Sequence, residues 1–399
     1  MAKTTVTING NLSVRTTRGD STLPLAQRLP LARVRVFVEG RRGNGVWNNI
    51  GEAQTDANGN FTINNRERVR DRRYRIQVRF KTDDLVVRDQ AAADWDTVFE
   101  QPLVRGEDLI GANIVIGDSA ASDIDARGFV DNTALKENAE VWALSRLLLD
   151  LLDDLGQPFA GRLIRPFELE VVTLAKRTFA DPVRRNVYLL PNEDLRTIFH
   201  EAMHIWAYDH TRSVAAGQLR LIGSLEGGGT HETQEARTTA FHEGFAEYAA
   251  KQIVHLMFNT PRPLPRSRFG IASLGLNSND EMLHNDFAWE SILTTLSTAG
   301  LRELAFGTRA GGSIFVSPVV PPPPTVLTPF ISFSRMLGCF AREGSVGEHQ
   351  RLGSGEMRNL SDFLKRVEAI VGGNMTGRVD EYLRLFDINE TVEPAALFV

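Results

Sequence analysis

TIFHEAMHIWAYDH, residues 197–210, carries His200, Glu201 and His204 in the order H-E-x-x-H. On a helix, histidines at i and i+4 stack on one face, their imidazoles about one turn apart. That separation lets both rings reach a single ion at roughly 2.0–2.1 Å, the Zn–N distance. Glu201 adjoins His200 and is placed to address a water on the open side of such an ion as a general base. Leu195, Ile198, Phe199, Ala202, Met203, Ile205 and Trp206 supply the apolar side of a buried helix, and Asn192 to Asp194 offer N-cap chemistry. With 8 His and 50 Asp+Glu among 399 residues, random order gives at most about 0.02 such pentads. A polar helix face with two satisfied histidines is the plain alternative, and the spacing favours a zinc site.

Two histidines leave the ligand set short, because catalytic zinc takes three protein ligands and a water. His210 lies ten residues after His200, the metzincin spacing H-E-x-x-H-x-x-G-x-x-H, in which a glycine breaks the helix. Here Ala207 stands in the glycine place. The other source is FHEGFAEYAAKQI, residues 241–253, an amphipathic helix carrying Glu243 and, one turn on, Glu247. Two carboxylates on such a helix are explained if one binds a metal and the other accepts a ligand histidine's free N–H.

HEAMHIW followed by HEGFAEY resembles the gluzincins, and within them the aminopeptidase N branch, which carries H-E-x-x-H-x-W and then N-E-G-F-A. The resemblance implies that His200, His204 and Glu243 are zinc ligands and Glu201 the general base. Glu247 matches the place where thermolysin-like members carry an acid that supports a ligand histidine. The chain departs from that pattern in two ways. The 38 residues between His204 and Glu243 are about twice the usual gap, and His242 replaces the asparagine.

Composition bounds the rest. At 42% hydrophobic and 24% charged, the chain is globular and long enough for two domains. A net charge of −5 argues against nucleic-acid binding. The one cysteine, Cys339, excludes an intramolecular disulfide framework and reads as an inert core thiol. MAKTTVTINGNLSV has no apolar signal segment, and no run approaches 18 consecutive apolar residues. The expectation is a cytoplasmic protein without a membrane span, with leaderless export equally compatible.

Residues 1–117 read as β. ARVRVFVEG and YRIQVRF alternate apolar and polar residues with period two, and EAQTDANGNFTIN reads as a hairpin around an Asn-Gly turn. Strands at this spacing predict a sandwich. PLARVRVFVEG…GEAQTDANGNFTI is similar to the transthyretin-like domains attached to carboxypeptidases. Asp56, Asn58, Asn60 and Glu67 follow a calcium-loop count, but glycine falls at position 4 in place of 6, so a turn is preferred. The arginines of RERVRDRRYRIQVR are assigned to a solvated strand face. DQAAADWDTVFEQ is expected to form a short helix, and LIGANIVIG (109–117) to close the domain.

From 132, ALKENAEVWALSRLLLDLLDDLG predicts an amphipathic helix ending at Gly156. FELEVVTL and NVYLLP are strands joined by a hairpin-like AKRTFADPVRR, with NVYLLP as the edge that would pair a peptide substrate by fold analogy. The loop containing Gly227-Gly228-Gly229 and His231 is a candidate lid. NDFAWESILTTLS, PFISFSRMLGCFAR, LSDFLKRVEAIVGG and GRVDEYLRLFDIN predict helices, and SPVVPPPPTVLTP a polyproline strap.

The expectation is therefore an α+β multidomain chain. A β-sandwich over 1–117 precedes a mainly helical zincin-like region with a small sheet and a helical C-terminal lobe over 132–399. Its function would be Zn2+-dependent peptide-bond hydrolysis, with a peptide or protein as substrate. Tyr248, His284 and Tyr382 are open candidates for stabilising the oxyanion. Two alternatives are a zinc hydrolase acting on another substrate and a catalytically dead protein whose sandwich binds a partner.

Overall fold

The alternating valines of ARVRVFVEG build the centre of one sheet. The structure is a computed structural model that describes residues 6–19, 27–42, 45–65, 72–91, 99–103, 110–122, 132–156, 168–182, 184–211, 234–261, 263, 289–290, 293–294, 297 and 332–340. Strand β3 (Arg35–Arg42) pairs antiparallel with β4 (Asn48–Gln54) and β6 (Arg72–Arg79), and β8 (Phe99–Leu103) joins β6, giving the order β4-β3-β6-β8. Val36 lies opposite Val78 and Val38 opposite Ile76, all fully buried. Each such side chain contributes about 1.5–3 kcal/mol on leaving water. On the other face Arg75 is ion-paired to Glu39, and Arg41 and Arg75 stack on Trp47 at 4.6 and 4.7 Å. Within the expected arginine face, Arg75 is thus paired and part-covered, while 66–71 lie outside the described residues. Residues 99–101, expected in a helix, are strand, because β8 completes this sheet.

A second sheet forms around β1 (Val6–Thr16). β2 (Gln27–Pro30) and β5 (Asn60–Asn65) share one edge of β1, and β9 (Ile110–Ile116) runs parallel on the other. β4 and β5 therefore belong to different sheets, and the expected hairpin is a crossing. Thr55 ties it down: its hydroxyl donates to Leu31 O at 2.5 Å and accepts from Val34 N at 2.8 Å. The Asp56 carboxylate accepts the N–H groups of Asn58 and Asn60, both at 2.8 Å, so it serves the turn. Gly59, at φ +79°, passes so close to β1 that a methyl there would lie 2.2 Å from Leu12 O.

The third sheet has the order β11-β12-β10-β7, from β7 (Leu85–Asp89), β10 (Leu169–Thr173), β11 (Phe179–Asp181) and β12 (Asn186–Tyr188). β10 runs parallel to both β7 and β12. Parallel neighbours need a crossover, so the expected hairpin across AKRTFADPVRR is absent, and that segment carries β11 instead. NVYLLP supplies β12, an interior strand, and the edge is β11.

Helix α1 (Thr133–Gly156) is capped by Asn132, whose side chain accepts from Leu135 N at 3.0 Å. Every residue from 137 to 146 is buried, so the helix is covered all round in this stretch and not amphipathic. Trp142 donates its Nε1–H to Ala32 O at 2.8 Å and packs on Phe80. Arg18 neutralises Glu137 and Glu140, and Arg146 bonds Asp84 at 2.6 Å.

The chain divides into two compact units. One comprises Met1–Asp150, Glu168–Phe179 and Arg185–Ile198, the other Leu151–Phe167, Ala180–Arg184 and Phe199–Val399. The division does not fall at 117–132: most of α1, through Asp150, and β10 belong to the first unit. The second unit holds most of α2 (Leu195–Thr211), then α3 (Gln234–Phe258) and α4 (Phe333–Phe340). Trp289, Glu290, Leu293, Thr294 and Ser297 are helical, as NDFAWESILTTLS predicts. The proline-rich strap and the two helices expected after residue 350 lie outside the described residues, as does the glycine-rich loop with His231. No helix among the described residues is long and apolar enough to cross a membrane.

Candidate metal centre

Asp194 starts α2: its carboxylate accepts Thr197 N–H at 2.7 Å, filling one of the orphan donors of the first turn. Ile198, Phe199, Ala202, Met203, Ile205 and Trp206 are buried, which fixes the roll of the helix. The remaining face carries His200 and His204, whose side chains are 20% and 7% exposed. α3 is fixed the same way by Phe241, Phe245, Ala246, Ala249 and Ile253, and Trp206 meets Phe245 with ring centroids 6.1 Å apart. This packing turns Glu243 toward the two histidines.

The three donor atoms form a nearly equilateral triangle. His200 Nε2 lies 3.1 Å from His204 Nε2, and Glu243 Oε2 lies 3.2 Å from each. A tetrahedral ion with bonds of 2.0–2.1 Å separates its ligands by about 3.3–3.4 Å, so this donor set fits a divalent cation with one position left open. His200 and His204 stand edge to face, with centroids 4.7 Å apart. Among the described residues these three are the group of His, Cys, Asp and Glu so disposed.

Charge follows the geometry. Burial works against protonation of His200, but its hydrogen bond to Glu243 and the Glu247 carboxylate nearby outweigh that and hold its pKa well above the ordinary value. Burial likewise opposes ionisation of Glu243, and the neighbouring histidines win, holding it well below the usual carboxylate range. The Glu243 carboxylate and the His200 imidazole thus stabilise each other's charge. Glu201 behaves differently. Burial raises its pKa, only partly opposed by His200 and His204, while the Ala180 N–H of β11 bonds its carboxylate. His242 is buried, and desolvation with the nearby His204 lowers its pKa to about 4, so it is a neutral imidazole. Neither of its ring nitrogens finds a hydrogen-bond partner among the described residues.

Glu247 Oε2 lies 3.6 Å from His200 Nδ1, the ring nitrogen that does not face Glu243 Oε2 and His204. α2 continues through Ala207 to Thr211, which carries the His210 backbone about 15 Å along the axis from His200. The helix has no break that would return it. Tyr248 is fully buried, with its ring against Phe333 of α4. His284 and Tyr382 lie outside the described residues. Two residues not singled out from the sequence, Lys251 and Glu290, stand behind Glu247. Lys251 was visible at i+4 from Glu247, whereas nothing in the sequence linked Glu290 to it. No protein-family model matches the chain, and no curated protein sequence matches it.

Proposed function

We propose that this chain is a zinc-dependent metallopeptidase of gluzincin type, with His200, His204 and Glu243 as ligands and Glu201 as general base. The observation that carries the reading is the triangle of donors at 3.1–3.2 Å with Glu201 beside it. Bound zinc would lower the pKa of a water and polarise a carbonyl. Glu201 takes the proton of the attacking water on its carboxylate and delivers it to the leaving amine. A pKa raised by burial suits both halves of that transfer, since the group must hold the proton between them. Strand β11, the outer strand of its sheet, offers main-chain groups to an extended peptide. The β1 and β3 sheets we assign to a sandwich of transthyretin-like type. A methyl at Gly51 of β4 would lie 2.5 Å from Ile63 of β5, so the two sheets approach face to face there.

The test begins with elemental analysis of tag-free protein, which should find close to one zinc per chain. Glu243→Ala should lose the metal and His210→Ala keep it. Glu201→Gln should retain zinc and lose hydrolysis of a peptide, because it removes the base and spares the ligands. A folded wild-type chain that takes up no zinc sinks the proposal.

A further inference from the structure

We infer that Lys251 and Glu290 are positioning residues of the metal centre, acting on the ligand His200 through Glu247; this rests on the zinc reading above. Ligand histidines need their second ring nitrogen held, and the holding group must itself be held. Glu247 divides its carboxylate between two tasks: Oε2 faces His200 Nδ1 at 3.6 Å, while Oε1 takes the Lys251 ammonium at 3.1 Å. Lys251, one turn along α3, also reaches Glu290 Oε1 at 2.8 Å.

Glu290 is 1% exposed. A buried carboxylate demands a cation, so Glu290 fixes where the ammonium sits and thereby fixes the Glu247 oxygen that the ammonium binds. The next residue back strengthens the brace. Trp289 packs edge to face on Phe241 with centroids 5.0 Å apart, two positions before Glu243. The helical segment at 289–290 therefore grips α3 on both sides of the carboxylates that matter. Salt bridging of Lys251 to Glu290 alone would serve the fold. Sharing the ammonium with Glu247 carries that rigidity to the ligand.

The experiment separates these roles. In Lys251→Met with Glu290→Leu both charges leave together, so no buried ion is stranded. That double variant should melt within a few degrees of wild type. Its zinc affinity, measured by competition with a chromophoric chelator, should fall by about 10–100-fold. Lys251→Arg keeps a cation able to bridge two carboxylates and should restore affinity to within roughly 3-fold of wild type. If the double variant does not fold, Glu290→Gln supplies the same reading through a several-fold weaker affinity. Wild-type affinity in the folded double variant, or in Glu290→Gln, overturns the positioning role alone. A wild-type chain that binds no zinc overturns the metal reading and this inference with it.

Discussion

Replacing Arg18 by Met should cost the first unit a large part of its stability. Arg18 is 4% exposed. Its guanidinium binds Glu137, donates Nε–H to Glu140 at 2.6 Å and donates Nη1–H to Glu193 O at 2.7 Å. Glu137 in turn accepts Asn192 N–H at 3.2 Å, in the turn that leads into α2. The substitution strands two buried carboxylates, and removing one partner of a buried ion pair costs about 3–5 kcal/mol. Lys136, 3.7 Å from Glu140 and part-exposed, relieves only one of the two. In a unit of 150–250 residues such a loss lowers the melting temperature by roughly 6–20 °C. Urea and thermal melts followed by circular dichroism measure it. Adding Glu137→Gln and Glu140→Leu should recover most of the loss, since nothing charged is then left buried. If Arg18→Met alone stays within about 1 kcal/mol of wild type, the carboxylates are not dependent on it and the reasoning fails.

A chain beginning at residue 131 should not fold, because it lacks Arg18, the Ala32 carbonyl and the β7 strand that α1 and β10 pack on; limited proteolysis checks this, and a protease-resistant, zinc-binding fragment refutes it. Asp84→Asn should show a pH-dependent loss. Burial raises the Asp84 pKa, but its bond to Arg146 outweighs this and depresses the folded value. Its contribution is therefore present above about pH 4 and lost as pH falls through the folded value. A deficit of about 1 kcal/mol at pH 7, discounted for solvent screening, should vanish toward pH 2–3. Gly59→Ala should cost about 1–3 kcal/mol in a melt, from positive φ and the close Leu12 carbonyl.

The candidate site was legible because its parts are local. A helical period in 195–206 and 241–253 puts apolar residues on one side, and i,i+4 spacing then leaves His200 with His204 and Glu243 with Glu247 on the other. What the spacing could not give was which helix supplied the third donor, since packing of Trp206 on Phe245 decides that. Strand existence was equally readable from alternation, but partners were not. Asn58-Gly59 carries turn chemistry whether the chain returns to the same sheet or crosses to another, and the Thr55 bonds make it cross. An amphipathic reading of α1 could not show that Glu137, Glu140 and Arg146 are buried, because they are ion-paired to residues 62 to 122 positions away. Glu290 was silent for the same reason.

The parallel pairing of β7 with β10 has a consequence for biosynthesis. Leu85 lies opposite Leu169, 84 positions later in the chain. At roughly 5–20 residues per second, a ribosome takes about 4–17 s to deliver the partner after β7 has emerged. Throughout that interval the LVVRD segment presents open backbone donors and acceptors, the situation in which strands pair with the wrong neighbour. The same interleaving means that the N-terminal strands cannot be inherited as a cassette. A recombination point between residues 90 and 168 would break a sheet whichever side it kept.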